Sequence, residues 1–399
     1  MNLNSKSLPV VASLFLTVPA FSAEPPSVED RLKQLEDTVQ TLKKENTDLK
    51  KELGWDGKSS LTFVKPGGKE AKVTLGGFVQ GQTEFGKEPD ARYAGIEDRF
   101  LLRRARVNLQ GSFLEHFDFK VEADFGANSL SEKTGYSAQL TDAYINWNQY
   151  DFANLKFGQF KTPFGYEQLV SDTKLLTIER SLSNDRLTDG RQIGLGISGD
   201  FLDKRVGYSA GAFNGTGVNN SFNDNDNFLY AGRVTGVPFE GKIDGKEARW
   251  SIGVNGLGTH DDGVSKSGFG FTGNSFAGNR YSWGVDSQLK WWLFGLEAEY
   301  LRSHFEPANN VPDDSFDAAG WYVMGTAYVL PKKLQALVKY EQFDPNLSIG
   351  GNKTDIYTFG LTYYVKGDDL KVALNYMLGN PAGGQDNQGR LLGRVQVVF

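Results

Sequence analysis

Phe117-Asp118-Phe119-Lys120-Val121-Glu122-Ala123-Asp124-Phe125 alternates apolar and charged residues without a break. A period of two puts the apolar side chains on one face of a strand and the charged ones on the other. Ala143, Ile145 and Trp147 repeat the pattern against Asp142, Tyr144, Asn146 and Asn148. At the end of the chain Leu391, Val395, Val397 and Phe399 alternate with Arg394 and Gln396. Working outward from these segments, sixteen such runs are found: 73–84, 100–112, 117–126, 140–149, 154–161, 191–200, 204–214, 228–238, 247–258, 279–291, 293–303, 318–330, 333–343, 353–366, 369–379 and 389–399.

The gaps between runs carry the topology. Those after even-numbered runs are short, as at 113–116, 150–153 and 201–203, whereas 85–99, 162–190, 259–278 and 304–317 are long. Short turns alternating with long loops are the pattern of an outer-membrane barrel, turns on the periplasmic side and loops outside. A soluble sandwich has no need of that asymmetry, and no repeat of about 40 residues marks a propeller. An even strand number allows closure, which a lipid environment requires because an open edge leaves backbone groups unpaired. The reading is therefore all-β: a sixteen-stranded antiparallel transmembrane β-barrel over residues 73–399, enclosing an aqueous lumen. Aromatic residues beside the short turns (Trp147, Tyr150, Phe152, Trp291, Trp292, Tyr363, Tyr364) suit an interfacial girdle.

Composition agrees. Of 399 residues 47 are glycine, well above the usual 7% or so, and 13% are aromatic. Only 39% are hydrophobic, as expected when half of each strand faces water. The absence of cysteine excludes disulfide scaffolds and thiolate zinc sites. A net charge of −6 speaks against a nucleic-acid partner.

Ahead of the barrel the period changes. Lys6, the apolar run Leu8–Ala20 and small residues at Ala20 and Ser22 predict a signal peptide over 1–22. From 24 to 54 the positions Val28, Leu32, Leu35, Val39, Leu42, Asn46, Leu49 and Leu53 step by four and three, the seam of a short N-terminal coiled-coil helix lying in the periplasm. Leu32, Leu35, Val39, Leu42, Asn46 and Leu49 are its candidate oligomerisation residues. Asn46 would fix register at an a position. So few heptads are marginal alone, so copies must also be joined by the barrel; a solvated single helix is the other reading. Residues 55–72, with Pro66-Gly67-Gly68, read as a linker.

Several runs resemble the phosphate-selective porin O and P family: Phe100-Leu-Leu-Arg103-Arg104-Ala105-Arg106-Val-Asn-Leu-Gln-Gly111, Phe119-Lys-Val-Glu122-Ala-Asp124-Phe125, Asp142-Ala-Tyr144, Gly158-Gln-Phe-Lys161-Thr-Pro163-Phe-Gly165, Glu179-Arg180-Ser181 and Ala212-Phe-Asn-Gly215, with terminal Phe399. The resemblance implies a homotrimeric outer-membrane porin passing small anions, phosphate among them. Phe399 would engage the barrel assembly machinery.

Taking the apolar parity as lipid-facing, the lumen receives Arg104, Arg106, Lys120, Lys156, Arg233, Arg249, Lys290, Lys339, Lys371 and Arg394. It also receives the acids Glu84, Asp118, Glu122, Asp124, Asp142, Asp286, Glu297, Glu299 and Glu341. Net charge does not decide selectivity; arrangement must. Candidate anion-contacting residues are Arg104, Arg106, Lys120, Lys156, Lys161, Arg180, Arg191 and Arg394, because guanidinium groups match oxyanion geometry. The alternative is that these groups pair with Glu122, Asp124 and Asp142 to stiffen the wall. Arg103 falls on the lipid parity, which calls for an interfacial level, a bulge or a subunit contact. The longest gap, 162–190, is the third long loop, the one that commonly narrows such lumens. It holds five acids (Glu167, Asp172, Glu179, Asp185, Asp189) against Lys174, Arg180 and Arg186, a poor match to a dedicated anion filter.

Enzyme chemistry lacks its parts. His116, His260 and His304 are the three histidines, and no Gly-x-Ser-x-Gly elbow accompanies them. No metal-ligand or cofactor-binding spacing is present. A general diffusion porin without phosphate selectivity, and a structural role with the coiled coil tethering the envelope, are the remaining rivals.

Overall fold

The computed structural model describes residues 28–52, 61–64, 71–127, 136–265, 269, 275–308, 314–380 and 386–399. The predicted signal peptide lies outside the described residues, as does most of the predicted linker. Helix α1 (Val28–Glu52) forms a unit by itself. Its Leu32, Leu35, Val39 and Leu42 are all exposed in the single chain, as is Asn46. No described helix is long and apolar enough to cross a membrane.

The remainder is a barrel. After a short strand β1 (Leu61–Val64) come sixteen long strands. They are β2 (Ala71–Gly86), β3 (Arg99–Phe113), β4 (Phe117–Asp124), β5 (Gln139–Tyr150), β6 (Ala153–Lys161), β7 (Arg191–Phe201), β8 (Val206–Phe213), β9 (Leu229–Ile243), β10 (Lys246–Ser265), β11 (Ser275–Trp291), β12 (Phe294–Pro307), β13 (Phe316–Leu330), β14 (Leu334–Asp344), β15 (Thr354–Lys366), β16 (Leu370–Asn380) and β17 (Gln388–Val398). Each pairs antiparallel with its chain neighbours, and β17 returns to pair with β2 from Arg390↔Gly86 to Val398↔Phe78. Phe399 seals the seam, exchanging backbone hydrogen bonds with Gly77 at 2.9 and 3.0 Å. Closure gives each of the sixteen long strands a neighbour on both sides, as a lipid-immersed sheet requires.

All sixteen predicted runs are strands, with ends shifted by a few residues. The largest changes are in β10, which runs on past 258 to Ser265, and in β9, which extends to Ile243 and a two-residue turn at Asp244-Gly245 with φ of +50° and +72°. Two positive φ values suit a hairpin turn whose twist matches that of the strands, and glycine adopts one without strain. The linker reading is corrected. Leu61–Val64 pairs with β2 from Leu61↔Leu75 to Val64↔Lys72, on the stretch of β2 that β17 does not reach. An unpaired edge beside a Leu-Thr-Phe-Val segment of β-favouring residues accounts for the extra strand.

Outward positions form the apolar band, and aromatics cluster at its short-turn end: Tyr150, Phe152, Trp291, Trp292 and Tyr363 are all well exposed. Tyr364 departs from the girdle reading. It faces inward, 7% exposed, and its hydroxyl donates to Gln335 at 2.7 Å.

Candidate functional site

Arg103, Arg104 and Arg106 cannot share one face of a regular strand. The ladder between β2 and β3 pairs Gln80 with Arg104 and then Gly81 with Leu102, so Arg103 is the extra residue of a bulge. A bulge inverts side-chain parity beyond it, and all three arginines are buried inside the barrel. Of the readings open for Arg103, the bulge is the one observed. A second irregularity, opposite Glu122 on β5, brings Thr141 and Asp142 inward together; Thr141 donates to Glu122 at 2.9 Å.

The loop 162–190 folds into this charged interior. It carries two short helices, α2 (Tyr166–Leu169) and α3 (Leu182–Leu187), and α3 lies against β12, β13 and β14. Each of its five acids meets a basic group from elsewhere. Glu167 faces Lys339 at 3.5 Å, Asp185 meets Arg92 of the first long loop at 2.7 Å, and Asp189 meets Arg280 at 2.9 Å. Asp172 is held by Arg104 at 3.3 Å, Arg106 at 2.7 Å and Arg180 at 2.7 Å. Glu179 pairs with Arg103 at 2.9 Å and with Arg394. The acid excess of the loop therefore does not face the solute. It neutralises wall cations and fastens the loop across the lumen. Burial alone would raise the Asp172 and Glu179 carboxyls. The surrounding arginines (Arg104, Arg180 and Arg106 on the first, Arg103, Arg394 and Arg104 on the second) outweigh it and hold both well below the usual carboxylate range. A depressed carboxyl contributes stability above its unfolded value, near pH 4, and loses it only as pH falls through the folded value. Both anchors thus persist through mild acid.

Backbone groups complete the attachment. Glu299 accepts from the Tyr166 and Glu167 N–H groups, and Glu341 accepts from Leu182 N–H at 3.0 Å. Lys371 donates to Thr173 O at 2.8 Å, and Arg394 donates to Ile178 O and Gln82.

Apolar side chains fill part of the barrel interior. Phe164, Ile178, Leu182 and Leu187 of the loop pack in one apolar cluster with Tyr93, Phe269, Phe305, Phe316, Phe343, Ile356 and Met377. The same cluster takes in Phe160 of β6, Phe213 of β8, Leu229 of β9 and Leu392 of β17, so it reaches round the barrel wall. Space remains on the β11–β15 side, where a cavity of about 700 Å³ is lined by Lys290, Glu297, Thr326, Gln335 and Tyr364 with Tyr166 and Glu167 of the loop, and on the β3–β8 side. There a cavity of about 250 Å³ is lined by six basic residues, Arg103, Arg104, Arg106, Lys161, Arg180 and Arg191, and by Asp124, Asp172 and Asp189. The three carboxylates are already bound by arginines. Lys161 donates to Gln168 O at 2.6 Å and Val170 O at 2.9 Å, spanning wall and loop. Arg191 shares Asp142 with Lys120 at 2.6 and 2.7 Å.

Five of the eight candidate anion contacts, Arg104, Arg106, Lys161, Arg180 and Arg191, thus converge on one cavity. Lys156 lines an adjacent recess of about 280 Å³. Lys120 and Arg394 line neither; the first is tied to Glu122 at 3.0 Å and Asp142, the second to the loop through Glu179. Pairing with Glu122, Asp124 and Asp142 also occurs, so stiffening and lining are served by the same residues. Sequence reasoning missed Arg103 as a lumen residue, although three arginines in four positions already demanded a break in alternation. It also missed Asp172 and Glu179 as partners of the wall, for which no local signal exists.

Comparison with known proteins agrees with this architecture. A family model described as phosphate-selective porin O and P matches residues 82–399. Porin O of Pseudomonas aeruginosa is 24% identical over 405 aligned positions, spanning 83% of this chain and 89% of its own length. Among solved structures, an anion-selective porin from Comamonas acidovorans superposes with a TM-score of 0.59 at 12% identity, over 83% of this chain and all of its own. The trimer form of OmpT from Vibrio cholerae gives 0.57 at 13%, over 83% and 100%. At these identities the structures share a fold.

Proposed function

Because the chain belongs to the phosphate-selective porin O and P family and is an outer-membrane porin, we propose that it is a passive channel for small anions such as phosphate, working as a homotrimer. The observation that carries this reading is the cavity in which six basic side chains meet three carboxylates that are already engaged. An anion entering it exchanges water for charge-assisted donors, while a cation meets an excess of basic over acidic side chains. The apolar packing that seats the loop inside the barrel supports a narrowed passage and favours inorganic or other small solutes.

Purified protein in planar bilayers under a KCl gradient is expected to give a reversal potential on the anion side. Inorganic phosphate added in chloride is expected to depress single-channel current at concentrations where sulfate-free chloride controls are unaffected. A cation-selective reversal potential overturns the anion reading. Anion preference with indifference to phosphate leaves a general diffusion porin.

Assembly is proposed on two grounds: a related fold is known in a trimer form, and the apolar seam of α1 is exposed in one chain. A coiled coil of three copies buries that seam. Deleting residues 24–54 is expected to lower the temperature at which trimers dissociate in detergent, with conductance per pore unchanged. Trimers of unaltered stability combined with a fragile envelope would favour the tether instead. Phe399, closing the last strand with its ring 46% exposed, supports recognition by the barrel assembly machinery.

A further inference from the structure

We infer that the lumen contains a second station, beside the arginine-lined cavity, that takes an organic anion with a flat ring: an aromatic carboxylate. The inference rests on the reading that the lumen conducts anions. The station is the recess of about 280 Å³ on the short-turn side of Lys161, which lines both spaces. Its size lies just below the usual range for small-molecule sites, about 300–1,000 Å³, which suits a single ring.

The floor is built by omission. Strands β7 and β8 turn glycines toward the lumen, and rings occupy the space that side chains would fill. A Cβ at Gly196 would stand 3.0 Å from the Phe160 ring, and Cβ atoms at Gly194 and Gly211 would stand 2.6 and 2.8 Å from Phe213. Phe160 and Phe213 are 5.2 Å apart between ring centres, and Tyr144 stands edge-on to Phe160 at 6.3 Å.

Over these rings sits Lys156, its ammonium 4.5 Å from the centre of Tyr144 and 5.3 Å from that of Phe160. Among the described residues no carboxylate lies within ion-pair distance of it, in contrast to Lys120 and Arg191, which share Asp142. Held on aromatic faces, the Lys156 ammonium has no carboxylate partner among the described residues, and Asp142, which also lines the recess, is engaged by Lys120 and Arg191. Ser198 and Ser209 add hydroxyls to the same recess. A carboxylate placed on Lys156 sets an attached ring against Tyr144 and Phe160, in the edge or offset arrangements aromatic pairs prefer. An inorganic oxyanion gains the polar groups alone, and an aliphatic acid of equal charge likewise gains no ring contact.

The test is chloride current through the purified channel, titrated with benzoate, acetate and inorganic phosphate. Benzoate is expected to depress current at a concentration at least about tenfold lower than acetate. Tyr144→Leu is expected to abolish that advantage while the responses to acetate and phosphate stay as they were. Lys156→Gln is expected to weaken benzoate and acetate together. Equal potency of benzoate and acetate in the unaltered channel overturns the inference, as does an undiminished benzoate advantage in Tyr144→Leu. Heat-modifiable migration on gels identifies folded barrels for each variant. The reversal potential in KCl separates the two levels: cation preference removes the underlying anion reading, whereas anion preference without benzoate discrimination removes this inference alone.

Discussion

A channel carrying Arg104→Ala together with Arg106→Ala is expected to lose its anion preference, its reversal potential moving several-fold in permeability ratio toward cations. The cavity then keeps four of its six basic lining residues and all three acids. Asp172 retains Arg180 as its remaining ion-pair partner of the three it had. Two unit charges about 6 Å apart interact by roughly 3 kcal/mol at an effective dielectric constant of about 20. Salt in the lumen reduces that figure, yet a several-fold change survives the reduction. Asp172→Asn is expected to act in the opposite sense, because it removes a negative charge that three guanidinium groups share. Its cost to loop attachment is on the order of 3–5 kcal/mol, as for removal of one partner from a buried charge network. The pair Arg104→Lys and Arg106→Lys distinguishes charge from geometry. It should keep anion preference and weaken phosphate block, since lysine lacks the planar fork that grips an oxyanion. An unchanged reversal potential in the double alanine variant would remove these two arginines from the selectivity argument.

The second large effect is steric. Gly320 on β13 faces the lumen directly beneath α3, where an added Cβ would lie 2.4 Å from the Cβ of Ser183. That distance is impossible without movement, and the neighbouring Gln342 carbonyl and Phe343 ring leave no room to turn aside, each 3.2 Å away. Gly320→Val is therefore expected to push α3 off the wall, at an overpacking cost of about 1–3 kcal/mol. Conductance and the size limit for neutral solutes should both rise, because the loop and the apolar cluster it completes no longer seat. Barrel stability should change little, since the strands close through backbone hydrogen bonds that the substitution does not touch. Ser183→Gly in the same chain removes the clashing atom and is expected to restore the original conductance. Liposome swelling with sugars of graded size measures the outcome. An unaltered size limit in Gly320→Val would show that α3 does not control the passage.

Sixteen strands, their order, and the division into short turns and long loops were legible because each depends on a local property. A two-residue period expresses itself within one strand, and a turn needs only its own few residues. The lumen parity of most wall charges follows from the same rule. It fails at Arg103, where a bulge resets the count, and at Tyr364, where an aromatic beside a turn proves to face inward. A further sign was present in β12, where Leu301, Ser303 and Phe305 turn inward while Arg302 and His304 face out. There the apolar face switches sides partway along the strand, the mark of an apolar cluster inside the barrel.

The sequence by itself determined the barrel, its strand number and the heptad helix ahead of it, since backbone pairing and amphipathic period are short-range facts. The tertiary structure alone decided what the passage is made of. Asp172 meets Arg104 across 68 positions, and Glu179 meets Arg394 across 215. Charges so far apart in the chain cancel only when a loop is laid against a wall, and no count of acids and bases along the chain contains that cancellation.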